Sequence, residues 1–307
     1  MILAMNKSAQ ASFAKYKLGA VALVLTHTTS IIPAYAQNSE FVNNIPLLPR
    51  RSPGQNLPSR TQTKPQKRSG RVSFVQPKLP STGIPSGRQR GAAGRGNCLN
   101  VEVPLTALVP AVQKPIGDGQ TDLMMTKIWG LTAKSHPTLL FYVPYTSAFA
   151  QSGEFVLQDK EDNDIYRTMI ALPSIPSVVK ISLAAMSAPL EIGKMYRWYF
   201  KVRCSAQNMS GPIFVEGWVQ RIALEPKISD RLAAATPLQK IDIYAENGIW
   251  YDTVADLAQM RLQNPGNDEL EADWQQLLQS VGLADIQSEP VVTATLKNSN
   301  VKNSFKF

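Results

Sequence analysis

The chain of 307 residues carries 32 Lys or Arg against 23 Asp or Glu, 44% hydrophobic side chains, two cysteines and two histidines. There is apolar material for one or two globular domains. The base excess is unevenly placed: residues 37–97 hold eleven Lys or Arg and one acid, whereas 98–307 hold eighteen against twenty-two, so the folding part is mildly acidic and lacks the footprint of a nucleic-acid binder.

In chain order, Lys7, Lys15 and Lys17 precede an apolar run, Leu18–Leu25, and Ala34-Tyr35-Ala36 closes the segment. This reads as an export signal over 1–36, with Ala34 and Ala36 as the small residues of the cleavage site and Gln37 as the mature start. The apolar run is short for roughly 30 Å of hydrocarbon, and no other stretch is long enough to span a bilayer. The expected location is the periplasm or the exterior. Residues 37–95 follow as a basic linker, expected to be disordered, because eight prolines fall in 37–97 and few large apolar residues offset ordering entropy. Its end, Arg88–Gly96, is Gly-rich and basic but lacks the Gly-Lys-Ser/Thr of a phosphate loop. Its functional reading is electrostatic contact with anionic headgroups or wall polymers.

From Leu99 to Ile222 the sequence predicts about eight or nine short strands divided by Pro, Gly and Asn. They are 99–103, 106–109, 127–131, 139–143, 155–157, 165–172, 178–183, 196–204 and 213–222. Leu139–Val143 is continuously apolar, as a strand buried on both faces would be. In 196–204, Tyr196, Trp198, Phe200, Val202 and Cys204 alternate with Arg197, Tyr199, Lys201 and Arg203, giving one core face and one wet face. Leu190 and Gly193 ahead of Tyr196 resemble the tyrosine corner of immunoglobulin- and fibronectin-like sandwiches. The expected fold is therefore mainly β: an immunoglobulin/fibronectin-like antiparallel sandwich over 96–225, with Trp129, Trp198 and Trp218 in its core.

The period changes over 226–288, where about three helices form an expected cap. Thr236-Pro237 starts the first, which stops at Asn247-Gly248; the second spans about 250–263 and the third starts near Asp268 and stops at Gly282. The spacing of Gly248 and Pro265 resembles half of one tetratricopeptide repeat, without a second copy. Residues 289–307 are expected to be a flexible tail.

The two cysteines, Cys98 and Cys204, form one disulfide or remain two buried thiols; export favours the bridge. The mature chain has one histidine, His136, placed as a turn residue before a strand rather than in a triad. Asp159–Asp164 resembles an oxygen-ligand calcium loop but lacks its central Gly and distal Glu, and reads as a solvated hairpin. No cofactor is called for. The one candidate ligand-facing surface is the strand face Arg197, Tyr199, Lys201 and Arg203, an anion- or sugar-binding stripe or else a solvated face.

The strings His136–Pro144, Leu190–Cys204, Glu216–Ile222, Gly248–Asp252 and Trp274–Leu283, with the basic approach to Cys98, resemble the cyanobacterial family catalogued as domain of unknown function 928. The resemblance implies an exported protein of a photosynthetic bacterium; it implies no activity and supplies no site residues. Two functions follow as expectations. One is an exported non-enzymatic interaction or scaffold module holding a protein or an anionic cell-envelope polymer, of open oligomeric state. The alternative is a carboxylate-based hydrolase of cell-wall or extracellular polysaccharide.

Overall fold

Alternation along the strands sorts apolar side chains onto facing surfaces, and two sheets close over them. The computed structural model describes residues 72–80, 86–91, 98–115, 124–186, 188–204 and 211–297. The export signal, with Ala34 and Ala36, lies outside the described residues, as does most of the linker. Strands are β1 (Thr106–Ala107), β2 (Ala111–Pro115), β3 (Met124–Thr132), β4 (Thr138–Val143), β5 (Ser152–Gln158), β6 (Asp164–Ala171), β7 (Ser177–Ser182), β8 (Met195–Arg203), β9 (Ile213–Arg221), β10 (Val291–Thr293) and β11 (Thr295–Lys297). Helices are α1 (Pro226–Ala234), α2 (Pro237–Glu246), α3 (Trp250–Gln263) and α4 (Asp268–Ser280).

The small sheet runs β1-β4-β7-β10 and the large one β11-β6-β5-β8-β9-β3-β2. The expected sandwich is present, with two parallel pairs, β3 with β9 and β7 with β10, among otherwise antiparallel neighbours. Phe141 of β4 joins the sheets: its ring centroid lies 5.3 Å from Trp198 and 4.9 Å from Phe200 on β8. Trp198 fits because Gly217 stands opposite it on β9. A Cβ at Gly217 would collide with the Trp198 ring and stand 2.7 Å from Ile128 Cγ2. The tyrosine corner is formed: Leu190 is fully buried, Gly193 takes φ +82°, and the Tyr196 hydroxyl accepts a 3.0 Å hydrogen bond from the Glu191 N–H.

Cys98 and Cys204 are bridged, with Cα atoms 5.3 Å apart, so the start of the body is stapled to the residue after β8. Residues 99–103 are not a strand; Val101 and Val103 pack against the core from an irregular segment that ends at Pro104. Polar β2, which the apolar pattern did not mark, pairs with β3 at the sheet edge.

The cap has four helices rather than three. The additional one, α1, starts on Pro226 and buries only Leu232. Helix α2 has a capping box between Thr236 and Gln239, and α4 is capped by Asn267. Helix α3 packs on β3, β4 and β10, which explains the unbroken apolar run of β4: alternate residues meet the large sheet on one side and the helix layer on the other. The first turn of α3 enters the core. Tyr251 is fully buried; its hydroxyl accepts from the Trp198 indole N–H at 2.8 Å and donates to the Trp218 carbonyl at 3.0 Å. The Trp250 indole N–H donates to the Leu108 carbonyl at 2.7 Å.

Two stretches assigned to the linker lie on this body. Val72 is buried, its N–H 3.2 Å from Asp273 Oδ1, and Phe74 packs edge-on against Trp250 at 4.8 Å. The Val75 N–H donates to the Ala245 carbonyl at 3.0 Å. Further on, Arg88 and Glu216 exchange backbone hydrogen bonds, and Arg90 bridges to Thr106. The chain after 289, expected as a flexible tail, adds β10 to β7 and β11 to β6. Residues 72–80 are held by the packing of Val72 and Phe74 with one main-chain bond, whereas 86–91 and the residues after 289 are ordered by main-chain pairing that a hydrophobicity pattern does not record.

Candidate functional site

The alternation of β8 places Arg197, Tyr199, Lys201 and Arg203 together on the outer face of the large sheet, opposite the core face of Tyr196, Trp198, Phe200 and Val202. Register fixes their neighbours. On β5, Gln158 stands opposite Arg197, Val156 opposite Tyr199 and Glu154 opposite Lys201; on β9 the corresponding residues are Trp218, Glu216 and Phe214. The four stripe residues are not equivalent. Arg197 is a structural clamp: its guanidinium bonds Glu216 at 2.6 Å and lies 4.8 Å from the Tyr199 ring centroid and 5.7 Å from that of Trp218. Lys201 is looser, 3.8 Å from Glu154 Oε2 and 5.2 Å over the Tyr199 ring. Arg203 is exposed and makes no ion pair among the described residues. Burial pushes the Tyr199 phenol up, opposed by the adjacent Arg197 charge.

Two further residues complete the face. Phe214 tilts against Tyr199 with centroids 6.4 Å apart, and Arg88 lays its guanidinium 4.5 Å over the Phe214 ring. Arg88 reaches β9 because Gly87 lets the backbone pass close: a Cβ there would stand 2.8 Å from Ile128 Cβ and 2.9 Å from the Glu216 carbonyl oxygen. Arg88 makes no ion pair among the described residues. Arg88, Gln158, Tyr199, Lys201, Pro212 and Phe214 surround a groove of about 510 Å³, which continues past Lys201 and Pro212 into one of about 250 Å³ reaching Arg203. The signal for Phe214 was in the sequence, since Phe214, Glu216 and Trp218 share one parity of β9. Arg88 had none, because its position depends on a strand pairing made by the supposed linker.

The same parity corrects the tryptophans. Trp198 is in the core, but Trp129 and Trp218 pair across β3 and β9 as a separate cluster with Leu79, Leu131 and Met195. Both are buried, covered by neighbouring side chains rather than by the opposite sheet.

Other candidates are spent on structure. His136 Nδ1 lies 3.1 Å from the Ser135 hydroxyl in its turn. Asp159 accepts from the N–H groups of Glu161 and Asn163 and from the Asn163 side chain, so its oxygens close the hairpin; among the described residues no cluster of three acid, His or Cys ligands could hold a metal. A cavity of about 780 Å³ beside that hairpin is floored by Met186, Met195 and Trp218, but its lysines are matched, Lys194 with Glu191 at 2.8 Å and Lys160 with Glu161 at 3.4 Å. Asp252 is buried against the end of β3, where Oδ2 accepts from the Thr132 hydroxyl at 2.7 Å and the Ala133 N–H at 3.0 Å. Burial pushes its carboxyl up, offset by Lys134 with Nζ 3.7 Å away. It pins α3 to the sandwich.

The family model for Domain of Unknown Function (DUF928) matches residues 89–291, about two thirds of the chain. The chain belongs to the DUF928 family. In this member the matched span starts within the Arg88–Gly91 pairing and ends on the first residue of β10, so it takes in β1 to β9 and all four helices but not β11. Comparison with curated proteins gave no match. No helix among the described residues is long and apolar enough to cross a membrane.

Proposed function

We propose that this DUF928 protein is an exported, non-enzymatic interaction module that holds a cell-envelope partner on the outer face of β5, β8 and β9. One observation carries the reading. Arg88, Lys201 and Arg203 stand beside an open groove floored by Tyr199 and Phe214, unpaired or weakly paired, on a body whose sequence is mildly acidic. Cations without a close ion pair, beside half-exposed rings that border a groove, suit a recognition surface better than a stability device. The disulfide and the signal-like N-terminus support export.

The acids on this face favour binding over hydrolysis. Glu216 is held by Arg197, and Glu154 is engaged by Arg167. Neither is free to meet a glycosidic oxygen, whereas a carboxylate hydrolase needs two available acids. The test is co-sedimentation of the mature protein with an isolated cell-envelope fraction, against a variant carrying Arg88→Gln, Lys201→Gln and Arg203→Gln. The expected result is salt-sensitive binding that the variant loses. Equal sedimentation of the two proteins refutes this face as the binding surface, and release of reducing ends from the fraction replaces the reading with the hydrolase.

A further inference from the structure

Resting on the reading of this face as the binding surface, we propose that its ligand is an acidic polysaccharide, a chain of sugar rings bearing carboxylate groups. Three features of the groove lead there. First, β5, β8 and β9 are interior strands, each hydrogen-bonded on both sides, so no free ladder edge is offered to an extended peptide. The ligand is read by side chains alone. Second, two of the three cations are coupled to rings: Arg88 lies over Phe214 and Lys201 over Tyr199. The groove between them is bordered by these half-buried rings, so a site for a negative group adjoins apolar ring surface at both places. Aromatic faces pack against the C–H faces of a sugar, and a guanidinium fork matches a carboxylate. Third, the groove runs on past Lys201 and Pro212 to Arg203, which suits a polymer with repeated charge rather than a single sugar. A single-stranded nucleic acid also offers rings and charge, and the titration below separates it from a polycarboxylate.

The experiment is titration of the full mature chain, at low ionic strength, with a short oligogalacturonate, an uncharged oligoglucan of equal length, polyglutamate and a single-stranded oligonucleotide. The expected result is saturable binding of the oligogalacturonate, about tenfold or more tighter than the other three. Arg88→Gln and Lys201→Gln should each weaken it roughly fivefold, the scale of one partly exposed charge contact. Tyr199→Thr, which leaves a strand-favouring residue in place, should weaken it about tenfold, with Phe214→Leu as the second ring variant and the thermal midpoint reporting that each is folded. Polyglutamate or the oligonucleotide binding as tightly overturns the sugar assignment, and the oligoglucan binding as tightly overturns the need for charge. If none of the probes binds while sedimentation with the envelope still depends on this face, the ligand class is wrong and the interaction module stands. If both fail, both readings fall.

Discussion

Removing the Tyr251 hydroxyl, as Tyr251→Phe, leaves the ring and its packing in place and deletes one oxygen from a fully buried relay. The Trp198 indole N–H, with no exposed surface of its own, loses its acceptor at 2.8 Å, and the Trp218 carbonyl loses a donor at 3.0 Å. An orphaned buried donor costs about 1–3 kcal/mol, and the lost second bond adds about 0.5–1.5 kcal/mol. A total near 3 kcal/mol corresponds to a fall of roughly 6–12 °C in thermal midpoint for a body of this size. Urea unfolding followed by tryptophan fluorescence measures it, with an unchanged slope m showing that the same surface is exposed. In a double-mutant cycle with Trp198→Phe, the coupling should be about 1–2 kcal/mol, because the second substitution removes the donor that the first strands. A loss below about 0.5 kcal/mol, or strict additivity, refutes the claim that the first turn of α3 is core material of the sandwich.

Other outcomes follow from the same architecture. Cys204→Ser opens a loop with a sequence separation of 106 residues and should cost roughly 4–5 kcal/mol in the chain-entropy view; equal urea midpoints with and without reductant refute it. Phe74→Ala removes the edge contact with Trp250 and should cost about 1–2 kcal/mol, and a chain beginning at Arg95 should melt below one beginning at Pro65, whereas equal midpoints would show the early segment to be dispensable. The Arg90 fork, with nitrogens 2.6 and 2.9 Å from Asp285, holds that carboxyl below its ordinary 3.8. A carboxyl lowered in the folded state stabilises above its unfolded pKa, and that contribution is lost as the pH falls through 3.8 toward the folded value. Asp285→Asn should therefore melt below wild type near neutral pH and converge with it in acid, and a gap that persists undiminished in acid excludes the ion pair as its cause.

Local pattern determined most strands of the sandwich and most of the cap on its own, though not β2, β10 and β11 or the irregular segment 99–103. Alternation along β8 marked the core face and the stripe Arg197, Tyr199, Lys201 and Arg203, because strand side chains follow a period of two whatever the partner. Leu190, Gly193 and Tyr196 marked the corner, since a positive φ and a buried phenol are requirements of the turn itself. Capping signals marked α2 and α4 for the same reason. Only the tertiary structure decided which cation is a clamp and which is free: Arg197 is occupied because Glu216 lies diagonally across on β9, a fact of register between strands. It also decided that Trp218 belongs to the outer face, that Arg88 joins the groove, and that residues 72–80 and 86–91 pack on the body. Those outcomes depend on contacts between distant segments: side-chain packing for Val72 and Phe74, and main-chain hydrogen bonds for Arg88, which every residue can make whatever its side chain. A single sequence does not encode such pairings as a pattern, so the stripe was legible and the groove was not.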